Sequence, residues 1–221
     1  MPQRPLRGLY AVTDPNLIAS DRLVATVTLA IGGGARLVQY RNKSAEAGQR
    51  EQQAAELVAV CRRYDVPFIV NDDVELAAAT AADGVHLGRD DPQITAARHR
   101  LGPRAIIGVS CYNQLARGRA AAAAGADYLA FGRFYPSRTK PAAVSAGIDL
   151  LRTARTEFSQ PLVAIGGITP ENGERLIVAG ADMLAVIHGV FGQSDSEAAA
   201  RRYADLFEKP KPNSQHSEQD W

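Results

Sequence analysis

The sequence has few cysteines: 2 in 221 residues. Cys61 falls in a segment of helical pattern and Cys111 at the end of an apolar run, with no paired spacing of the zinc-ribbon or dithiol kind. A disulfide framework and a thiolate metal site are therefore not expected. Cys111 also has no histidine partner in any motif, so it reads as a packing residue and not as a nucleophile. Neither sign of charge is in surplus, since 25 Lys+Arg against 24 Asp+Glu leave a formal +1. Without a global field, neither nucleic acid nor an anionic membrane is an expected partner, and any recognition of anions must be local. Long apolar runs are missing too. Asp, Arg or Gly interrupts every stretch that could span a bilayer, and the segment Met1 to Tyr10 has no apolar h-region. The expectation is a cytoplasmic protein with no membrane partner. A nucleotide-binding glycine fingerprint is also lacking after the first apolar run, where Tyr10-Ala11-Val12-Thr13-Asp14-Pro15 follows.

The chain does contain a strict alternation. Short apolar or β-branched runs lie at Gly8 to Val12, Arg36 to Tyr40, Pro67 to Val70, Gly84 to Leu87, Ala105 to Val109, Asp127 to Phe131, Leu162 to Ile165 and Met183 to Ile187. Ala-rich segments of helical length separate them: Arg22 to Ile31, Glu46 to Tyr64, Asp73 to Ala81, Gln93 to Leu101, Asn113 to Ala123, Ile148 to Phe158 and Pro170 to Val178, with a last helix from about Ser196 to Phe207. Eight strand–helix units in about 200 residues predict a closed parallel (β/α)8 TIM barrel, an α/β fold, rather than an open doubly wound sheet. One domain over residues 1–208 is expected, with a disordered tail from Lys209 that has little to bury. The phrase Ala-Gly-Ala-Asp recurs before two runs, at Ala124 to Asp127 and Ala179 to Asp182, with a partial copy at Ala81 to Gly84. These read as helix caps and turns at the bottom of the barrel.

Function in such a barrel gathers at the opposite rim, where strands end. Two runs enter acidic clusters there, Asn71-Asp72-Asp73 and Gly88-Arg89-Asp90-Asp91. Neighbouring strands lie about 4.8 Å apart, so Asp72 and Asp91 would stand side by side. Two carboxylates about 5 Å apart repel by about 3 kcal/mol at an effective dielectric near 20. A cation between them relieves this, and hard oxygen ligands without a Cys or His pair favour Mg2+, which usually arrives with phosphates. The competing reading is that each Asp caps the following helix. In Gln39-Tyr40-Arg41-Asn42-Lys43, alternation sends Gln39 and Arg41 toward the mouth and Tyr40 to the other side. A guanidinium in that place calls for an anion, either a ligand or a neighbouring Asp. Ser110 can reach the mouth, and it is equally a routine helix cap. The long segment Gly132 to Gly147 carries Arg133, Ser137, Arg138, Thr139 and Lys140, the composition of a phosphate-gripping lid. Gly166-Gly167 lets backbone N–H groups approach a ligand, and together with the loop after the last strand, at Ile187 and His188, it forms a second anion site.

Gln39 to Lys43, Asn71-Asp72-Asp73, His86 to Asp91, Gly108-Val109-Ser110, Phe131 to Lys140 and Ile165 to Ile168 together resemble the thiamine phosphate synthase family over nearly the whole chain, from Gly8 to about Gly192. The resemblance implies a (β/α)8 transferase that joins 4-amino-2-methyl-5-hydroxymethylpyrimidine diphosphate to 4-methyl-5-hydroxyethylthiazole phosphate and releases pyrophosphate. By resemblance, Gln39, Tyr40, Arg41, Asn42, Lys43, Asn71, Ser110 and Lys140 hold the pyrimidine diphosphate. Arg41, Lys43, Ser110 and Lys140 also assist its departure. Asp72 and Asp91 hold one Mg2+ per active site. Ser137, Arg138, Thr139, Gly167, Ile187 and His188 face the thiazole phosphate. The chain departs from the family's usual Gln at Arg89, from a frequent Thr at Ser137 and from a common Ser at His188. Small phosphorylated molecules are the implied partners, and a homo-oligomer is left open. The alternatives are a thiazole tautomerase on the same barrel, which uses a histidine where this chain has Ser110-Cys111-Tyr112, and a non-catalytic phosphometabolite-binding protein.

Overall fold

The computed structural model describes residues 5–88, 93–136 and 144–208. Within them, β1 (Gly8–Val12), β2 (Ala35–Tyr40), β3 (Phe68–Asn71), β4 (Gly84–Leu87), β5 (Ile106–Tyr112), β6 (Tyr128–Gly132), β7 (Leu162–Ile165) and β8 (Met183–Val186) pair in sequence order, all parallel, and close into a barrel. The helices outside are α1 (Leu23–Gly32), α2 (Ala47–Arg63), α3 (Val74–Ala79), α4 (Ile94–Leu101), α5 (Leu115–Ala123), α6 (Ile148–Glu157), α7 (Pro170–Val178), a short α8 (His188–Phe191) and α9 (Ser196–Ala204), the last continued by a 3-10 turn over Asp205–Phe207. The eight-stranded barrel expected from the alternation is therefore present. The tail from Lys209 lies outside the described residues.

Alternation along each strand splits the apolar residues into two clusters. Tyr10, Val12, Leu37, Ile69, Ile106, Tyr128, Val163 and Met183 fill the barrel interior. The opposite faces of the strands, with Leu9, Val38, Phe68, Val85, Leu129 and Leu184, pack against the helices. A strand paired on both sides and covered on both faces has to be apolar almost throughout, which is why these runs show little polar alternation.

β5 runs further than its apolar run suggested, through Ser110 and Cys111 to Tyr112. Its register with β6 shifts between Ser110 and Tyr112, and Tyr112 takes a positive φ of 55°. A bulge of this kind bends a strand end and re-aims its side chains. The bottom joints form as the recurring phrases implied. The carboxylates of Asp83, Asp127 and Asp182 accept backbone N–H bonds from Phe68 at 2.8 Å, Ile107 at 2.7 Å and Leu162 at 2.8 Å. Each therefore ties the start of its own strand to the start of the strand before it.

Candidate active site

The barrel mouth opens into a cavity of about 830 Å³ lined by Gln39, Arg41, Lys43, Asn71, Asp72, His86, Ser110, Arg133, Gly166, Gly167, Ile187 and His188, among others. Its floor is polar. Gly108 sits opposite Tyr128 in the β5–β6 register, and a Cβ there would fall inside the phenol ring. The glycine thus admits a tyrosine into the interior. Tyr128 lies edge-on to Tyr10, with centroids 5.9 Å apart, and stacks on His86 at 5.6 Å. The Gln39 amide Nε2 donates to the Tyr10 hydroxyl at 2.5 Å, and the two phenol oxygens are 2.7 Å apart. The Tyr128 oxygen is 2.9 Å from His86 Nδ1, and His86 Nε2 is 2.8 Å from Ser110 Oγ. Burial raises the pKa of both phenols, Tyr128 well above the usual tyrosine value, so both keep their protons.

Above this floor lies a charged rim. Arg41 follows β2 and is largely shielded, and its guanidinium faces the Asp14 carboxylate at 3.9 Å. Its backbone N–H donates to Thr13 Oγ1 at 2.8 Å. Thr13-Asp14, just past β1, therefore fixes the loop that carries the cations. Lys43 Nζ meets Asp72 Oδ2 at 2.8 Å. The next residue has a different task. Asp73 caps α3 by accepting from the Leu76 N–H at 2.9 Å, and it pairs with Arg50 at 3.2 Å. The capping alternative thus holds for Asp73, whereas Asp72 is turned to the cavity on a left-handed backbone with φ 64°. That conformation is uncommon for a residue with a side chain, and Asp tolerates it better than most.

The far side of the mouth is built from backbone. Gly166 and Gly167 have φ of 103° and 64°. A Cβ on Gly167 would lie 2.7 Å from the Tyr135 carbonyl oxygen and closer still to that of Pro136, so the glycine is needed for the approach as well as for its φ. Tyr135 N–H donates to the Gly166 carbonyl at 3.0 Å, the Asn172 amide holds the Gly167 carbonyl at 3.1 Å, and the Tyr203 hydroxyl holds that of Ile168 at 3.0 Å. Ile187 caps α8, and the His188 ring lies over Gly192. Arg133 pairs through its backbone with Val144 and Ala146, at 3.2 and 2.8 Å.

The structure brings Gln39, Arg41, Lys43, Asn71, Asp72, Ser110, Gly167, Ile187 and His188 to one cavity. Two expected ligands point elsewhere. The Tyr40 hydroxyl donates to Gln53 of α2 at 2.7 Å, and the Asn42 side-chain Oδ1 accepts from the backbone N–H groups of Ser44 and Ala45 at 3.1 Å. Tyr40 faces outward by strand alternation, and Asn42 holds its own turn. Asp91 with Arg89, and Ser137, Arg138, Thr139 and Lys140, lie outside the described residues. Sequence reasoning missed His86, Tyr10 and Tyr128, whose inward parity on their strands was the available signal. It also missed Arg117, which donates to the Ser110 and Gly88 carbonyls at 2.7 Å each and has no such signal. Burial pushes the Cys111 thiol up to about 12, so it is not a nucleophile.

For a divalent cation the described donors are hard oxygens. No group of three or more His, Cys, Asp or Glu could hold a metal among the described residues. Mg2+ commonly binds one or two carboxylates and completes its shell with phosphates and water. Asp72, held at the cavity edge beside Lys43, fits that pattern.

A family model described as thiamine monophosphate synthase matches residues 9–190. The chain is 52% identical over 210 residues to the thiamine-phosphate synthase of Nitrosococcus oceani, covering 94% of this chain and 97% of that one. It is 54% identical over 207 residues to the protein of the same name from Chromobacterium violaceum, with 94% and 99% covered. Among solved structures, the thiamine phosphate pyrophosphorylase of Pyrococcus furiosus superposes with a TM-score of 0.84 at 35% identity, covering 92% of this chain and 96% of that one.

Proposed function

Because the chain belongs to the thiamine monophosphate synthase family, a transferase of thiamine biosynthesis, we propose that its rim joins a pyrimidinylmethyl diphosphate to a thiazole phosphate. The observation that carries this reading is one cavity with two walls of different construction, a cationic side-chain wall at Arg41 and Lys43 and a glycine-backbone wall at Gly166-Gly167, each suited to an anion. Two phosphorylated molecules can then lie head to head across the floor.

The pyrimidine diphosphate sits over Gln39 and Asn71 with its phosphates toward Arg41, Lys43 and Ser110. The resemblance adds Lys140 to this set. The thiazole phosphate sits against Gly167 and the backbone at Ile187 and His188, and the resemblance assigns Ser137, Arg138 and Thr139 to the same phosphate. Asp72 and Asp91 would hold one Mg2+, which would supply positive charge against the diphosphate leaving group. The protein's own part is largely electrostatic. The C–O bond breaks first, the cations and the Ser110 hydroxyl stabilise the departing pyrophosphate, and the thiazole nitrogen attacks the pyrimidine methyl cation. That nitrogen carries a free lone pair, so no general base is needed. The Cys111 thiol, with its raised pKa, accordingly takes no part.

No helix among the described residues is long and apolar enough to cross a membrane. A cytoplasmic location fits substrates that are themselves phosphorylated metabolites. Tautomerase activity is less favoured, because the end of β5 presents Ser110, Cys111 and Tyr112 and no histidine.

The deciding experiment incubates purified protein with both substrates, with Mg2+ or with excess chelator. Thiamine phosphate and pyrophosphate should appear in equal amounts, and only when Mg2+ is present. Isomerised thiazole without condensation would instead make the protein a tautomerase, and no turnover with either substrate would leave a binding protein.

A further inference from the structure

Five polar side chains on five different strands form one continuous hydrogen-bonded chain across the barrel floor, from Gln39 through Tyr10, Tyr128 and His86 to Ser110. Its interior members are shut away from water: Tyr10 is 1% exposed and Tyr128 0%. A proton without an acceptor at such a place carries its full desolvation penalty, and with the Gln39 amide nitrogen at one end this fixes the direction of the whole chain.

The Gln39 amide nitrogen can only donate. The Tyr10 oxygen therefore accepts from it, at 2.5 Å. The Tyr10 proton must then go to the Tyr128 oxygen at 2.7 Å, the one other hydrogen-bond partner of that phenol among the described residues. Tyr128 has used its acceptor side, and its own proton is directed to His86 Nδ1 at 2.9 Å. A neutral imidazole that accepts at Nδ1 carries its proton on Nε2. It donates that proton to Ser110 Oγ at 2.8 Å. With the Gln39 amide nitrogen set against Tyr10, the reverse polarity or an imidazolium leaves a tyrosine proton in the sealed interior with no acceptor; the reversed chain requires the Gln39 amide turned over, its oxygen to Tyr10.

We propose that His86 is a positioning residue, locked as the Nε2–H tautomer by Tyr128, so that Ser110 accepts from the imidazole and turns its own hydroxyl proton toward a phosphate oxygen in the cavity. An unconstrained serine hydroxyl rotates, donating in some rotamers and presenting lone pairs in others. Lone pairs aimed at a diphosphate would be repulsive. The chain removes that choice before substrate arrives, which is preorganisation of a donor toward developing negative charge. The catalytic consequence rests on the reading of the site as one that expels pyrophosphate; the tautomer itself does not.

The test has two arms. In the first, the ring nitrogens of histidine are labelled with 15N in the full-length protein without substrate, and the His86 signals are assigned by their loss in His86→Gln. The expected spectrum shows a protonated Nε2 and an unprotonated Nδ1. A protonated Nδ1, alone or exchanging with the other form, overturns the proposal. Because no substrate is present, a protein without synthase turnover would sink the functional reading and leave this measurement intact. In the second arm, Tyr128→Phe should turn the single tautomer into a mixture and lower kcat by about tenfold, with KM for the pyrimidine diphosphate within about twofold. Ser110→Ala placed on top of Tyr128→Phe should then cost less than it does in the wild type, because the two act through one hydroxyl. His86→Gln, whose amide can donate from nearly the same position, should keep more activity than His86→Ala. Losses that multiply independently, or Gln no better than Ala, would reduce His86 to a packing residue.

Discussion

The bottom of the barrel and its rim both carry aspartates next to strands, and the two sets do opposite work. Exposure does not separate them, since Asp127, Asp182 and Asp72 have side chains 35%, 31% and 29% exposed. Bonding does. At the bottom, Asp127 and Asp182 each accept a backbone N–H from the preceding strand and pair with an arginine of the adjoining helix, Arg98 at 2.6 Å and Arg155 at 2.8 Å. Those carboxylates splice neighbouring strands. At the rim, Asp72 meets the ammonium of Lys43, a residue in a loop and 63% exposed, whose place a ligand cation can contest. A carboxylate bonded to backbone is structural because its partner cannot leave. One paired with the exposed end of a lysine at a cavity edge can exchange that partner for a ligand.

The largest expected effect follows from removing the charge at the rim. Asp72→Asn should lower kcat for thiamine phosphate formation by about 10²- to 10³-fold, the usual scale for one preorganised electrostatic contact, while the urea midpoint stays near wild type. A midpoint that fell with the rate would make Asp72 a second structural splice and erase the distinction. Next in size is Asp182→Ala, which removes the Leu162 N–H bond and the Arg155 partner. It should lose about 1–3 kcal/mol of unfolding free energy, with turnover per folded molecule within about twofold. The smallest is Lys43→Met. An exposed ion pair contributes about 0–1 kcal/mol to stability, so the urea midpoint should barely move. kcat/KM should still drop by about tenfold, because the proposed reading sets this ammonium against a substrate phosphate. Lys43→Met proteins that lose stability and keep activity would reverse the assignment.

How much of this was legible beforehand depended on the range of the interaction. The strands were readable because a doubly covered parallel strand must be apolar along its length, and Gly8–Val12, Gly84–Leu87 and Leu162–Ile165 begin and end where their apolar runs do. The bottom joints were readable as local turn chemistry. The resemblance located Arg41, Lys43, Asp72 and Ser110, and the structure does place them around one cavity. It also suggested Tyr40 and Asn42 as ligands, and both are engaged with α2 or with their own turn. In their case the motif was right and the side-chain direction decided the matter. The sequence singled out Asp72 for the metal and left open that its cluster only caps the next helix. One residue of offset at the end of β3 sends Asp72 to the cavity and Asp73 to the α3 N-terminus.

By itself the sequence determined the alternation, and with it a closed eight-stranded barrel, because local burial patterns fix which residues face inward. Tertiary structure decided what the inward polar residues do. Gln39, Tyr10, Tyr128, His86 and Ser110 are scattered over about half of the chain, and they become one proton-ordered network only when the barrel closes. The hydrogen-bond partner of each is then set by register between strands, a quantity that no single segment of sequence contains.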